Sequence, residues 1–220
     1  MKPVALITGG SGDLAQAIRA ELESQGWLVH APSRQEMDVT DQTQVQRVIG
    51  ALGQLDLLIH NAGITRDTLL LKMSEAEFSD VLNVHLRGAF LCSQAALKIM
   101  IKKRQGHLIQ IGSYSAFCGS TGQANYAAAK AGLIALSQSL AAEYGPRGIR
   151  ANVILPGFLE TKMTHGLLDD ANQRQRILAS HSLGTLNTPQ DTARFIAFLH
   201  TMHSVSGQFF QLDSRISRWT

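Results

Sequence analysis

Cysteine is nearly missing from this chain. Cys92 and Cys118 are the only two in 220 residues, with neither C-x-x-C spacing nor a Cys/His ligand pattern, which argues against a disulfide scaffold and a zinc site. Charge is also thin: 17% of residues are charged and 45% are hydrophobic, a balance that excludes a disordered, collagen-like or coiled-coil chain. Twenty basic residues against seventeen acidic ones leave +3, too mild and too scattered to mark a nucleic-acid partner. No run of eighteen apolar residues occurs, so no membrane span is expected. Met1-Lys2-Pro3 leads straight into Val4-Ala5-Leu6-Ile7 without the layout of a signal peptide, so a cytoplasmic location is expected. No repeat, low-complexity tract or Pro/Gly/Ser linker divides the chain. The expectation is one domain over 1–220, long enough to bury a core without disulfides or metal.

What the chain does have is short apolar runs separated by helical patterns. In Val4–Ile7, Leu57–Ile59, Leu108–Ile111 and Val153–Leu155 polar and apolar residues do not alternate, as expected for strands of a parallel sheet covered on both faces. Trp27–Val29 is a fifth run, placed just after Gly26, a helix-ending residue. Ser74-Glu75-Ala76-Glu77 has the spacing of a capping box opening a helix through Phe78, Val81 and Leu82. Gly106 and Gly145 stand where later helices should end. Strands alternating with helices predict an α/β, doubly wound parallel sheet of Rossmann type, with ligands bound beyond the carboxyl ends of the strands.

Two motifs follow those strand ends. Thr8-Gly9-Gly10-Ser11-Gly12-Asp13-Leu14-Ala15 comes directly after the first strand and opens a helix. Glycines there let backbone N–H groups approach a pyrophosphate at the positive helix end. Asp13 is discordant beside a phosphate; the simpler reading turns it away from the ligand, held by the helix dipole. The second motif is Tyr126-Ala127-Ala128-Ala129-Lys130, with Ser113 upstream after the strand Leu108–Ile111. Tyr126 and Lys130, four apart, share a helix face. A phenol titrating near 10 needs on the order of 4 kcal/mol of help to work at neutral pH, which a fixed ammonium and a cationic cofactor ring could supply. Alone, a tyrosine and lysine at this spacing belong to an ordinary packing helix; with the serine and the Gly-rich turn they suggest a reactive site.

In this order of motifs the chain resembles the short-chain dehydrogenase/reductase family over nearly its whole length. The matching phrases are Asp38-Val39-Thr40, Asn61-Ala62-Gly63, Ser113, Tyr126 with Lys130, and Pro156-Gly157 through Thr161. The resemblance implies that Tyr126 is the general acid, that Lys130 lowers its pKa and holds the nicotinamide ribose, and that Ser113 polarises the carbonyl. It further implies cofactor contacts from Gly9, Ser11, Gly12, Leu14, Asp38, Val39, Asn61, Ala62, Gly63, Pro156, Gly157 and Thr161. Within the family the chain is most similar to 3-oxoacyl-[acyl-carrier-protein] reductases, through Gly63-Ile64-Thr65-Arg66-Asp67, Gly122-Gln123-Ala124-Asn125-Tyr126, Pro156-Gly157-Phe158-Leu159-Glu160-Thr161 and Gly207-Gln208. A short stretch between Thr161 and Gly184 implies a small lid. Arg104 and Arg147 match positions that meet an acidic acyl carrier protein in such enzymes, although either can equally be a solvated residue at a helix end. The long segments Phe78–Lys103 and Ala127–Tyr144 pack between subunits in the relatives, which implies a homodimer or homotetramer.

Four departures bear on these expectations. Asp13 and Ala15 stand where later glycines of the family turn belong, with Gly12 shifted by one place. About twenty residues are missing between the second strand and Asp38, trimming the adenine side of the pocket. His85, in Val84-His85-Leu86-Arg87-Gly88, replaces an Asn of the family's proton relay. It either holds the relay water and titrates near pH 6.5, or is a packed neutral ring. Asp213-Ser214-Arg215-Ile216 replaces a Gly-Gly tail near the subunit interface. The second strand is followed by no acid before Glu36, while Ser33 and Arg34 offer a hydroxyl and a guanidinium suited to a 2′-phosphate, so NADPH is favoured over NADH. Two other functions stand beside the thioester reductase: a ketoreductase for another carbonyl class, and a nicotinamide-binding sensor without turnover.

Overall fold

The computed structural model describes residues 2–162 and 164–216. A six-stranded sheet runs in the order β2-β1-β3-β4-β5-β6, and every pairing is parallel. Its strands are β1 (Val4–Ile7), β2 (Leu28–His30), β3 (Leu57–His60), β4 (Gly106–Ile111), β5 (Ile149–Leu155) and β6 (Phe209–Gln211). Four of the apolar runs each lie within one of them, and the fifth, Trp27–Val29, overlaps β2, which starts one residue later and extends to His30. The helices are α1 (Asp13–Ser24), α2 (Gln42–Gly50), α3 (Glu75–Leu82), α4 (Gly88–Lys103), α5 (Ser115–Cys118), α6 (Ala124–Tyr144), α7 (His165–Leu168), α8 (Ala171–Ala179) and α9 (Pro189–Thr201).

Alternate strand residues feed two separate cores, because successive side chains of a strand point to opposite faces. Leu6, Leu58 and Leu108 pack with Val45, Ile49, Ala96 and Met100 of α2 and α4. Ala5, Ile7, Ile59 and Ile109 pack with Ile18, Leu22 and Ile196 of α1 and α9. This two-sided burial is why the runs do not alternate. The chain leaves β1 toward β2 on one side and returns to β3 on the other, so the strand order reverses between β1 and β3. Loops there diverge and open a crevice at the carboxyl edge.

No strand follows β2 before Asp38. Instead, residues 31–37 fold back over the Gly-rich turn, where Gly10 N–H donates to Pro32 O at 2.9 Å. The capping box at Ser74 forms as expected, with Ser74 Oγ accepting from Glu77 N–H at 3.2 Å and the Glu77 carboxylate accepting from Ser74 N–H at 2.8 Å. Gly26 ends α1 with φ +86°. Gly106 does not end a helix: α4 closes at Arg104, a left-handed residue with φ +51°, and Gly106 opens β4. A side chain at Gly106 would collide with Met100, so packing rather than helix termination selects this glycine.

Candidate active site

Two turns are joined at the mouth of the crevice. Thr8 Oγ1 accepts the N–H groups of Asn61 at 3.0 Å and Ala62 at 2.9 Å, and Asn61 Nδ2 donates back to Thr8 O at 3.2 Å. Gly9 has φ +67°, and a Cβ there would lie 2.9 Å from Ala62 Cα, so no side chain fits. A Cβ at Gly10 would strike the Ala31 carbonyl. Gly12 precedes α1 without a side-chain cap, so the leading N–H groups and the positive end of the dipole face the turn. Ser11 is exposed there and Leu14 is buried beneath it. Asp13 is engaged elsewhere, its carboxylate accepting Lys162 N–H at 2.7 Å. It straps the segment after Thr161 to the start of α1.

At the adenine end, Asp38 Oδ1 accepts from Thr40 N–H at 2.9 Å and Thr40 Oγ1 at 2.7 Å, while Oδ2 faces Arg34 Nε at 3.3 Å. Burial pushes the Asp38 carboxyl upward, but the Thr40 bonds and Arg34 outweigh it and hold the group below the ordinary value. Ser33 N–H is taken by Glu36 at 2.7 Å. Val39 is buried, with its side chain against Gly88. The structure therefore brings Arg34 and Asp38 together, a pairing that the sequence reading treated as two separate contacts.

Ser113, Tyr126 and Lys130 converge beyond the carboxyl end of β4. Lys130 is buried and its Nζ donates to Ile111 O at 2.6 Å, 5.4 Å from the centre of the Tyr126 ring. Ser113 accepts from Ser115 N–H at 3.2 Å, and its hydroxyl acts to lower the pKa of the Tyr126 phenol. Burial raises the Tyr126 pKa, the Ser113 bond only partly offsetting it, and Asp67 adds to the rise. Burial also lowers Lys130 to about 7. The lowering of the phenol pKa expected from the Lys130 ammonium together with a bound cationic cofactor ring is not present in the chain alone. Both groups sit in one low-dielectric pocket, and each resists its charged form.

Asn125 was missed by sequence reasoning. It is fully buried, donates to Arg66 O at 3.1 Å and Glu77 O at 3.2 Å, and accepts Tyr126 N–H at 2.8 Å. It fastens the first turn of α6, and with it Tyr126, to the loop after β3 and to α3. The available signal was an Asn directly preceding the candidate acid.

His85 lies in a π-helical turn, Asn83–Arg87, the kind of widened turn often found at functional sites. Its Nε2 is 2.8 Å from Ile64 O and 3.1 Å from Ile64 N, and its ring stands edge-on to Tyr126 at 5.2 Å. Burial first, then Lys130, depresses its pKa well below the usual value. Titration near pH 6.5 is therefore corrected: His85 is a neutral ring in the wall of the site.

The Pro156–Thr161 segment is held from two sides. Asn187 Nδ2 donates to Pro156 O at 2.8 Å, and Thr161 N–H donates to Thr164 Oγ1 at 3.0 Å. Gly157, at φ +84°, lies against the Asp213 carboxylate. Asp213 is buried and bonded by Arg215 Nε at 2.7 Å and Gln211 Nε2 at 2.6 Å, and the Arg215 guanidinium stacks 4.0 Å over the Tyr114 ring. The altered tail thus packs beneath the residue following Ser113. Arg104 and Arg147 meet at the opposite end of the sheet, where Arg104 Nη2 donates to Pro146 O at 2.8 Å. A cavity of about 320 Å³ lined by Arg150, His200 and Ser206 also opens at that amino edge, away from Tyr126. Among the described residues no group of three or more His, Cys, Asp or Glu side chains is arranged to hold a metal ion, and no helix is long and apolar enough to cross a membrane.

A doubly wound sheet with a Gly-rich turn after β1 and a Ser–Tyr–Lys cluster after β4 defines a nicotinamide-dependent oxidoreductase, and the chain belongs to the short-chain dehydrogenase/reductase family. The family model described as enoyl-(acyl carrier protein) reductase matches residues 6–214. Among individual proteins, the chain is similar to the 3-oxoacyl-[acyl-carrier-protein] reductase FabG of Escherichia coli, with 41% identity covering 89% of this chain and 88% of that one. The FabG of Rickettsia typhi is 35% identical over 95% and 94% of the two chains. Among solved structures, ElxO with NADPH bound, a Tyr-to-Phe variant, superposes with a TM-score of 0.91 at 26% identity, covering 97% and 98%. The structure of gox2181 gives 0.89, covering 97% and 95%.

Proposed function

We propose that this chain reduces a 3-oxoacyl thioester to the 3-hydroxyacyl thioester with NADPH. The observation that carries the reading is the enclosed Ser113–Tyr126–Lys130 cluster beside a turn into which no Cβ fits. Gly9, Gly12 and the N-terminus of α1 would hold the pyrophosphate, with Ser11 and Leu14 beside it. Asn61, Ala62 and Gly63 would flank the cofactor, as would Pro156, Gly157 and Thr161 on the nicotinamide side, and Asp38 and Val39 would meet the adenine. The bound cofactor supplies a hydride to the carbonyl carbon. Ser113 donates a hydrogen bond to the carbonyl oxygen, and Tyr126 transfers its phenolic proton there. Lys130 orients the ribose and compensates the phenolate left behind. The test is loss of reduced-nicotinamide absorbance when NADPH meets a short 3-oxoacyl thioester. Oxidation with other ketones but not with the thioester would replace this reading by a ketoreductase of another class. Binding of NADPH without any turnover would leave a sensor.

The ElxO structures with NADPH and with NADP bound support the choice of NADPH. Arg34 is 78% exposed and paired only loosely with Asp38, a surface contact of little strength, so its guanidinium is free to turn to a 2′-phosphate, with Ser33 beside it. Arg34→Ala should raise the KM for NADPH about tenfold and leave that for NADH within about twofold. Equal changes would remove the assignment.

An acyl carrier protein is the substrate carrier that Arg104 and Arg147 suit. Both stand at the amino edge, about 20 Å along β4 from Ser113, so a carrier docked there serves the site of a second copy. A homodimer or homotetramer supplies that copy, and the groove of about 360 Å³ between Leu86, Phe90 and Leu136, with Phe90 47% exposed, is the face that would pack. Reversing both charges, Arg104→Glu with Arg147→Glu, should raise the KM for a carrier-bound thioester at least tenfold and leave a small soluble thioester unaffected. Parallel loss on both substrates would show a structural role instead.

A further inference from the structure

Behind Tyr126 the structure builds a chain of buried polar contacts that the chemistry above does not use. Thr8 Oγ1 already accepts two backbone N–H groups, from Asn61 and Ala62. A hydroxyl has two lone pairs and one proton, so its own proton goes to His60 Nδ1, 3.3 Å away. His60 must then carry its ring proton on Nε2, which donates to His85 O at 3.1 Å. His85 is wedged: a Cβ on Gly63 would lie 2.5 Å from His85 Cε1, and the other side of the ring meets the Tyr126 ring edge-on. His60 is 1% exposed and His85 2%, so neither contact competes with bulk water.

We infer that His60 is a positioning residue. It ties the cofactor turn, through Thr8, to the π-helical wall against which Tyr126 packs, through the His85 carbonyl. The inference rests on the reductase reading for its kinetic consequence and on geometry alone for the tie itself. Both rings stay neutral at working pH, His60 because burial first and then Lys130 lower its pKa to about 3. The tie therefore acts as a fixed pair of hydrogen bonds and not as a charge. Seating of the pyrophosphate and alignment of the phenol are then coupled through one side chain.

The two halves of the tie separate by substitution, because a glutamine amide reaches the place of the imidazole Nε2 and an asparagine amide only that of Nδ1. His60→Gln keeps the bond to His85 O and gives up the one to Thr8. Its kcat should stay within about twofold while the KM for NADPH rises about threefold or more. His60→Asn keeps the Thr8 side, so its KM for NADPH should stay near wild type while kcat falls about tenfold. Kinetic changes in both variants that run parallel, or no change in either, would overturn the inference. Should a variant fail to fold, ¹⁵N NMR of the wild-type imidazoles decides the tie: a protonated Nε2 and an unprotonated, hydrogen-bonded Nδ1 at His60 support it, and the opposite tautomer refutes it. Wild-type turnover is measured alongside. A wild type inactive on the thioester would refute the reductase reading, and the NMR result would still judge the tie.

Discussion

Replacing Tyr126 with phenylalanine removes turnover by about a thousandfold, the usual worth of a positioned general acid, while NADPH binding is retained. The ring is what packs against His85, edge-on at 5.2 Å, and phenylalanine keeps it. Only the proton donor is lost. The phenol is half-buried and raised in pKa, which favours the protonated state that an acid delivering a proton to a carbonyl oxygen requires. Deletion should therefore lower kcat steeply and leave the KM for NADPH within about twofold. The measurement is absorbance decay for wild type and variant side by side, with NADPH binding followed by fluorescence. Retained turnover in the variant would take the acid role away from Tyr126.

Acidification should unfold the protein well before its carboxylates are protonated. His60, His85 and His107 are buried and held neutral, with burial the largest cause in each case. The folded pKa of His60 is about 3, against 6.5 for the ordinary group. Below 6.5 the unfolded chain takes up protons that the folded chain refuses. The stability that His60 contributes is then complete above about pH 6.5 and is lost as the pH falls toward the folded value. At pH 5 His60 alone costs about 2 kcal/mol, and the other two act in the same direction. Against a total stability of about 5–15 kcal/mol this is a large fraction. The melting temperature should drop by more than about 10 °C between pH 7 and pH 5 for a chain of this size. Lys130, lowered to about 7 from 10.5, adds the same sign of slope only between pH 7 and 10.5. A melting temperature that is flat from pH 7 to pH 5 would contradict neutral burial of these histidines.

The parts that could be read from the chain are those decided by neighbours in sequence. Apolar runs such as Val4–Ile7 and Leu57–Ile59 locate strands because two-sided burial selects apolar side chains at successive positions; the one polar residue within Leu108–Ile111, Gln110, is buried and donates to Ser93 Oγ at 3.2 Å. The capping box at Ser74 and the left-handed Gly26 are settled within a few residues. Tyr126 and Lys130 share a face because a helix repeats every 3.6 residues. Local rules misled at Gly106, where the side chain of Met100 fills the space that a Cβ would need, so the glycine is kept for packing and Arg104 takes the left-handed position. They also gave no way to choose between a titrating and a neutral His85.

By itself, then, the sequence determined the strand-and-helix alternation and the shared helix face of Tyr126 and Lys130, which are matters of periodicity, while Ser113 and the Gly-rich turn stood out by their places after strands. Only the tertiary structure decided that Asn125 anchors the start of α6 to Arg66 and Glu77, that His60 meets the His85 carbonyl, and that Asp13 holds Lys162 N–H. It also decided that burial lowers the pKa values of His60, His85 and Lys130. Hydrogen-bond partners 25 to 149 positions apart meet only when the sheet assembles, and the exclusion of water that sets a pKa exists only once the elements above and below the group have closed over it.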